Sequence, residues 1–418
     1  MAEGTKEIHF DDHVVKYLTK IAQPEFPEYI ERDNSEYDID LITNKYLHLL
    51  LLISKTYIMK NLFLFLIALI VFSCQPKAPE KFEVFRGTNI AHWLSQSRTR
   101  GVDRELFFTK ADVIACAEMG FDHLRLPIDE EQMWDENGAR HDDAFLLMTN
   151  CIDWCIENNL RVIVDLHILR SHHFNAEVKP LWTDPAEQEK FYDLWRDLSK
   201  SLSKYPISMV AYELMNEAVA DDPELWNNLV ANAVMAIRET EPKRTIVIGS
   251  NKWQSVNTFD VLKVPANDPN ILLSFHFYEP FLLTHWNASW THQNGYTGPV
   301  HYPDIILTQA EFDVLPEAMK SIVAGQVGKV YNKTWIREQW QKPIQKAKEL
   351  GLPLYCGEFG IITGPPQEDM LRWYQDMIGL FEEAGIGYAN WNYKSGSFGL
   401  IDGEGNRRED FIKIVSGK

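Results

Sequence analysis

From Phe82 to the C-terminus the chain repeats one pattern eight times: a short apolar or β-branched run, then a longer stretch of helical periodicity. Few architectures accommodate that alternation. The runs are Val84–Ile90, His123–Pro127, Val162–His167, Met209–Glu217, Thr245–Ser250, Leu272–Pro280, Leu354–Gly360 and Gly387–Tyr393. Their near-continuous apolarity suits parallel strands covered on both faces. Helix signals lie between them. Thr109-Lys110-Ala111-Asp112 opens one helix like a capping box, with Asp in place of the usual Glu, and Gly120 closes it. Asp184-Pro185 and Asp222-Pro223 each pair an N-cap with a proline at the first helical position, and the former predicts a helix reaching Tyr205. Another helix is expected over Asp142 to Asn158.

The reading is an α/β chain folded as one (β/α)8 barrel (a TIM barrel), a single catalytic domain with enlarged βα loops over 82–418. The main structural alternative, a doubly wound sheet, calls for a Gly-rich phosphate loop after the first strand. Arg86-Gly87-Thr88-Asn89 is not one.

The 418 residues carry a net charge of -19, which argues against a nucleic-acid partner and suits a neutral or basic ligand, sugars being neutral. Residues 1–58 hold more acidic than basic side chains, and the remainder is acidic without them. The chain has 13 Trp, a number that fits stacking surfaces as well as core packing. Five cysteines are too few for a disulfide scaffold. Cys151 and Cys155 share a face of the Asp142–Asn158 helix at a spacing foreign to zinc sites, and both read as core, as does Cys356.

The first 81 residues follow a different logic. Leu62 to Phe72 is an unbroken apolar run, preceded by Met59-Lys60 and closed by Ser73-Cys74. A basic start, a short apolar stretch and a small-residue exit describe a secretory signal over 59–74. Val71-Phe72-Ser73-Cys74 resembles the lipobox of bacterial lipoproteins, with Phe72 a departure, and this implies lipidation at Cys74. Residues 75–81 read as a short polar tether. The expectation is export to the bacterial cell envelope, with membrane contact only through a lipid anchor. Residues 1–58 then read as an upstream extension preceding a true start at Met59. A membrane span joining Leu49–Ile53 to the apolar run ranks second, because Lys55, Lys60 and Asn61 interrupt it.

In barrels of this kind the reacting groups sit where strands end and βα loops begin. Those ends supply Arg125, His167, Asn216, Glu217, His276, Tyr278, Glu358 and Trp391. Two carboxylic acids are the minimum equipment for cleaving a glycoside, one to protonate the departing oxygen and one to attack or stabilise the anomeric carbon. Glu217 ends the fourth run and Glu358 lies near the end of the seventh, across the barrel mouth from each other. Glu213, four residues earlier, shares the parity of Glu217 but sits deeper, where a structural role is expected.

These residues resemble glycoside hydrolase family 5, over about Phe82 to Ile414. The resemblance implies that Glu217, in Asn216-Glu217, is the acid/base and that Glu358, in Gly357-Glu358-Phe359-Gly360, is the nucleophile of a retaining double displacement. It implies that Arg125 in Leu124-Arg125-Leu126-Pro127 supports the nucleophile. His167 in Asp165-Leu166-His167 is matched to the family's histidine near the reacting sugar. His276 and Tyr278 are matched to the His-x-Tyr after strand six, and Trp391 to the sugar-stacking tryptophan of strand eight. Asn216 is expected to bond the sugar 2-hydroxyl, and His276 and Tyr278 to orient the two glutamates.

The implied partner is a β-linked polysaccharide or oligosaccharide, first a β-1,4-glucan, with β-mannan, xyloglucan and β-1,3- or mixed-linkage glucan as alternatives. No cofactor or metal is called for, and a monomer is expected. The loop after His167, Ile168-Leu169-Arg170-Ser171-His172-His173, departs from the family's usual pattern and leaves substrate choice open. Adjacent histidines cannot easily face one ion, so His172 and His173 read as loop or sugar contacts. The long connection Phe281–Trp340 holds Trp286, Trp290, Tyr296, Tyr302 and Trp335, either lining sugar subsites or packing on itself. Two other classes compete: a barrel that binds glycan without cutting it, and a structural envelope protein.

Overall fold

The computed structural model describes residues 81–418. The expected signal segment 59–74 with Cys74, the expected tether up to residue 80 and the 1–58 stretch read as an extension lie outside the described residues. Eight parallel strands close into a barrel: β1 Arg86–Asn89, β2 His123–Asp129, β3 Arg161–Ile168, β4 Val210–Glu213, β5 Ile246–Gly249, β6 Ile271–Phe277, β7 Leu354–Phe359 and β8 Gly387–Asn390. Each pairs with its neighbours in chain order, and β1 completes the ring by pairing with β8 through Arg86 and Tyr388. All eight expected strands are present. The clearest difference in extent is at β4, which stops at Glu213, four residues short of Glu217.

The helices begin where their caps are. Asp184 accepts from the Ala186 N–H at 2.9 Å, and Asp222 accepts from Glu224 N–H at 2.9 Å. Each such cap contributes about 1 kcal/mol. Asp112 accepts from both the backbone and the hydroxyl of Thr109, so the shorter acid still closes the box. The helix from Pro185 ends at Leu202 rather than Tyr205. Helix Asp142–Glu157 buries Cys151 and Cys155, and all four cysteines among the described residues are free and buried.

Alternation along the strands sorts side chains into two cores. Outward residues such as Leu124, Val164, Tyr212 and Cys356 join the helices in one large apolar core. Inward residues fill the barrel in layers. The lowest is apolar, with Ile163, Ala211, Val247, Leu272, Tyr355 and Ala389. Two residues further along the same strands the inward side chains turn polar, Asp165 following Ile163 and Glu213 following Ala211. The apolar plug thus ends where the chemistry begins.

Candidate active site

Arg125 is the hub of the polar layer and is fully buried. Its Nε donates to Glu213 Oε2 at 2.6 Å and its Nη2 to Glu213 Oε1 at 3.1 Å. Nη2 also meets Asp165 Oδ2 at 3.0 Å and Asn216 Oδ1 at 2.9 Å. Nη1 donates to Asn89 Oδ1 at 2.9 Å and to Glu358 Oε1 at 2.7 Å. Burial alone would weaken the guanidinium as a base, but Asp165, Glu213 and Glu358 hold its pKa well above the usual value. Glu213 therefore has the structural place expected of it.

Glu358 reaches the cleft because β7 breaks its own alternation. Tyr355 points inward and Cys356 outward, so regular pleating would send Glu358 outward with Cys356. The register shifts instead: Phe275 pairs with Cys356, and the next residue, His276, pairs with Glu358. Gly357 is the extra residue of a bulge, and one extra residue reverses which face the following side chains take. A Cβ on Gly357 would sit 3.0 Å from both Ser274 Oγ and His276 Nε2. Asn89 Nδ2 holds the bulge by donating to Gly357 O at 3.0 Å.

Glu217 arrives by another route. Beyond the end of β4 its backbone turns left-handed, with φ 46°, and its side chain is 13% exposed. Oxygens of Glu217 and Glu358, together with a ring nitrogen of His276, all lie within 4.8 Å of one another. His276 Nδ1 is 3.0 Å from Glu217 Oε1 and 3.7 Å from Glu358 Oε2. Burial, with Arg125 and His167 nearby, pushes the imidazole well below its ordinary pKa. A neutral ring has one N–H, and it is placed on Nδ1, which faces the Glu217 carboxyl and the Glu358 anion beyond it, because an N–H on Nε2 would be buried without a partner. The Tyr278 hydroxyl donates to Glu358 Oε2 at 3.0 Å, and burial beside two carboxylates keeps that phenol protonated.

The two glutamates differ in charge state. Burial raises the pKa of Glu217, the charge of Glu358 adds to it, and the value ends well above the carboxylate range. Burial raises Glu358 as well, and the net shift stays upward although Arg125, His167 and the Tyr278 hydroxyl pull the other way. One carboxyl thus keeps its proton while its neighbour is the better anion.

His167 Nδ1 lies 2.6 Å from Asp165 Oδ2, and burial depresses the imidazole pKa to about 3. Its ring stacks on Trp391 at 5.7 Å between centroids and 8° between planes. Trp391 belongs to a small apolar cluster with Ala91, Ala288, Ile362 and Phe398, against which Tyr278 and Trp286 pack. All eight strand-end residues are therefore brought to one rim.

The loops divide the remaining expectations. His172 Nε2 accepts from the Val219 N–H at 3.2 Å and packs edge-on against Trp182, so it is a loop contact. In the Phe281–Trp340 connection, Tyr296 and Tyr302 are buried, and Trp286 Nε1 donates to Gly298 O at 3.0 Å; Trp290 is exposed. Much of this loop packs on itself.

Besides Glu213, three contributors lie outside the eight. Asn89 and Asp165 are legible in principle, since Asn89 ends β1 and Asp165 precedes His167 by two on an inward face. Gln254 carries no sequence signal. Among the described residues the one cluster with metal-ligand spacing is Glu217, His276 and Glu358, and it is already engaged by Arg125 and Tyr278.

Comparison with known proteins agrees with the barrel fold. The profile of the cellulase family (glycosyl hydrolase family 5) matches residues 84–397. Endoglucanase C of Acetivibrio thermocellus is 33% identical over 326 residues, covering 76% of this chain and 93% of its own. Cellodextrinase A of Ruminococcus flavefaciens is 28% identical, covering 72% of this chain and 83% of its own. In fold, the chain superposes on endoglucanase Cel5A of Thermotoga maritima with a TM-score of 0.64 at 24% identity, over 79% of this chain and 96% of that one. By barrel topology and sequence match together, the chain belongs to glycosyl hydrolase family 5.

Proposed function

We propose that the protein is an endo-acting β-1,4-glucanase that retains anomeric configuration, with Glu358 as nucleophile and Glu217 as acid/base. The observation that carries this reading is the close approach of the two carboxyl groups, with oxygens within 4.8 Å. Retaining glycosidases hold theirs about 5–5.5 Å apart, whereas inverting enzymes leave roughly 6.5–9.5 Å for a water. The endoglucanase and cellodextrinase names of the relatives support a β-1,4-glucan as substrate.

In the first step a Glu358 oxygen attacks the anomeric carbon, the glycosidic C–O bond breaks, and the departing oxygen takes the Glu217 proton. The Nδ1–H of His276 occupies Glu217 Oε1, which leaves that proton on Oε2. Esterification removes the Glu358 charge, so Glu217 becomes easier to ionise. It then takes a proton from water, the water oxygen attacks the anomeric carbon, and Glu358 leaves as carboxylate. Asn216, its Oδ1 held by Arg125, keeps Nδ2 for the sugar 2-hydroxyl. Trp391 offers a ring to a pyranose face.

A polysaccharide panel with product sizing tests the substrate: soluble cellulose derivatives should lose viscosity faster than they gain reducing ends. Release of cellobiose alone, without that drop, excludes endo action. Proton NMR of the first product should show the β-anomer, and an α-product removes Glu358 as nucleophile.

Export rests on the Leu62–Phe72 run and Cys74. Radiolabelled palmitate should enter the wild-type chain and not Cys74→Ser in a bacterial host; equal labelling rules the anchor out.

A further inference from the structure

Gln254 follows β5, outside the eight strand-end residues, and is fully buried. Its amide ties three elements together. Oε1 accepts from the backbone N–H of Glu217 at 3.0 Å. Nε2 donates to Ser274 Oγ at 3.0 Å and to Glu213 Oε1 at 3.3 Å. The amide's orientation follows from its partners: the N–H requires an acceptor and the carboxylate a donor, and a flipped amide opposes like to like at both ends.

Holding this side chain in place is costly. Lys252, Trp253 and Gln254 are consecutive left-handed residues with φ 52°, 62° and 52°. L residues seldom adopt that conformation, because Cβ crowds the following carbonyl oxygen. Space is made for it as well: a Cβ on Gly249, the last residue of β5, would lie 2.3 Å from Gln254 Cγ. Two further ties run from the same turn to the segment after Glu217. Asn251 bonds Ala220 in both directions at 2.9 Å, and the Trp253 N–H donates to Ala218 O at 3.2 Å. Strained backbone of this kind persists where surrounding contacts over-determine it. Here the contacts converge on a stretch that β4 no longer supports, and Glu217 is itself left-handed.

We propose that Gln254 is a positioning residue for the acid/base: its amide fixes the left-handed backbone of Glu217, which sets the carboxyl opposite Glu358, and Gly249 is the space that allows it. Gln254 acts through Glu217, at whose backbone its amide is spent. The proposal rests on the acid/base assignment of Glu217.

The test exploits leaving-group dependence. Departure of 2,4-dinitrophenolate needs no proton, whereas departure of a sugar hydroxyl does. kcat/KM, which reports the first step, is measured on 2,4-dinitrophenyl β-cellobioside and on cellotetraose. Gln254→Ala should lose about tenfold or more on cellotetraose but less than ~threefold on the aryl glycoside, since general acid catalysis contributes roughly 10²–10⁴-fold. Its basic pH limb on cellotetraose should also move. Gly249→Ala, whose new methyl collides with Gln254, should show the same selectivity. The double variant should be no worse than Gln254→Ala, because the collision partner is gone. Equal losses on both substrates, or additive losses in the double variant, overturn the proposal. If Gln254→Ala does not fold, Gly249→Ala alone decides by the same substrate comparison. A wild-type enzyme inert on both substrates instead removes the hydrolase reading, an outcome separable from the others.

Discussion

Arg125 Nη1 donates to Glu358 Oε1 at 2.7 Å while Nε of the same guanidinium donates to Glu213 Oε2 at 2.6 Å, so one buried cation serves both Glu358 and the layer beneath it. Removing the cation leaves Asp165, Glu213 and Glu358 facing one another without a counter-charge. Arg125→Met should therefore abolish turnover and destabilise the fold by about 3–5 kcal/mol, as breaking a buried ion pair does. Arg125→Lys should restore little, because one ammonium cannot reproduce the planar fork. Denaturant unfolding checks both, and a midpoint unchanged in Arg125→Met would show that the cage is not needed.

The coupled glutamates predict a bell-shaped pH profile with an identifiable upper limb. Activity requires Glu358 ionised, so it rises as pH climbs through the pKa of Glu358. It requires Glu217 protonated, so it falls as pH passes the pKa of Glu217, which stands well above the ordinary carboxylate range. Glu358→Gln removes the neighbouring charge, and the Glu217 pKa should then fall. Carbon-13 NMR titration of labelled glutamate reads this directly; a Glu217 pKa that stays put in the variant contradicts the coupling.

Chemical rescue separates the two roles. Glu358→Gln should lose turnover on every substrate. Glu217→Ala should keep activity only on glycosides with activated leaving groups, and added azide should accelerate it to give a β-glycosyl azide. Full activity of either variant on cellotetraose ends the assignment.

Asn89 offers a test of the bulge. Its amide bonds Gly357 O and Arg125 Nη1 in a fully buried position. Asn89→Ala removes the side-chain donor to Gly357 O and strands one Nη1 N–H of Arg125, at about 1–3 kcal/mol for an unsatisfied buried partner. If the bulge aims Glu358, kcat should drop more than KM changes, and labelling of Glu358 by a 2-fluoro-glycoside inactivator should slow in parallel. Unchanged labelling would assign Asn89 to stability alone.

The barrel was legible because alternation and capping are local. Asp184 and Asp222 cap the helices that the Asp-Pro pairs announce, and the eight apolar runs are the eight strands. The chemistry at the rim was legible for a related reason: where a parallel strand ends, its last polar residues have nowhere to go but the mouth. His276 and Tyr278 were placed that way, and so was Asn216.

How the two acids are aimed could not be read from spacing. Simple parity places Glu217 with Glu213 on one strand, yet β4 ends at Glu213 and a left-handed turn carries Glu217 the rest of the way. Parity also turns Glu358 away from the cleft, and the bulge at Gly357 turns it back. Sequence determined which strands form and which side chains crowd their ends, since those depend on periodicity and residue chemistry within a few positions. Tertiary structure alone decided the direction of each acid. A bulge exists only relative to the neighbouring strands, and a left-handed turn survives only where Gln254, Asn251 and the space at Gly249, up to 37 residues distant in the chain, close around it.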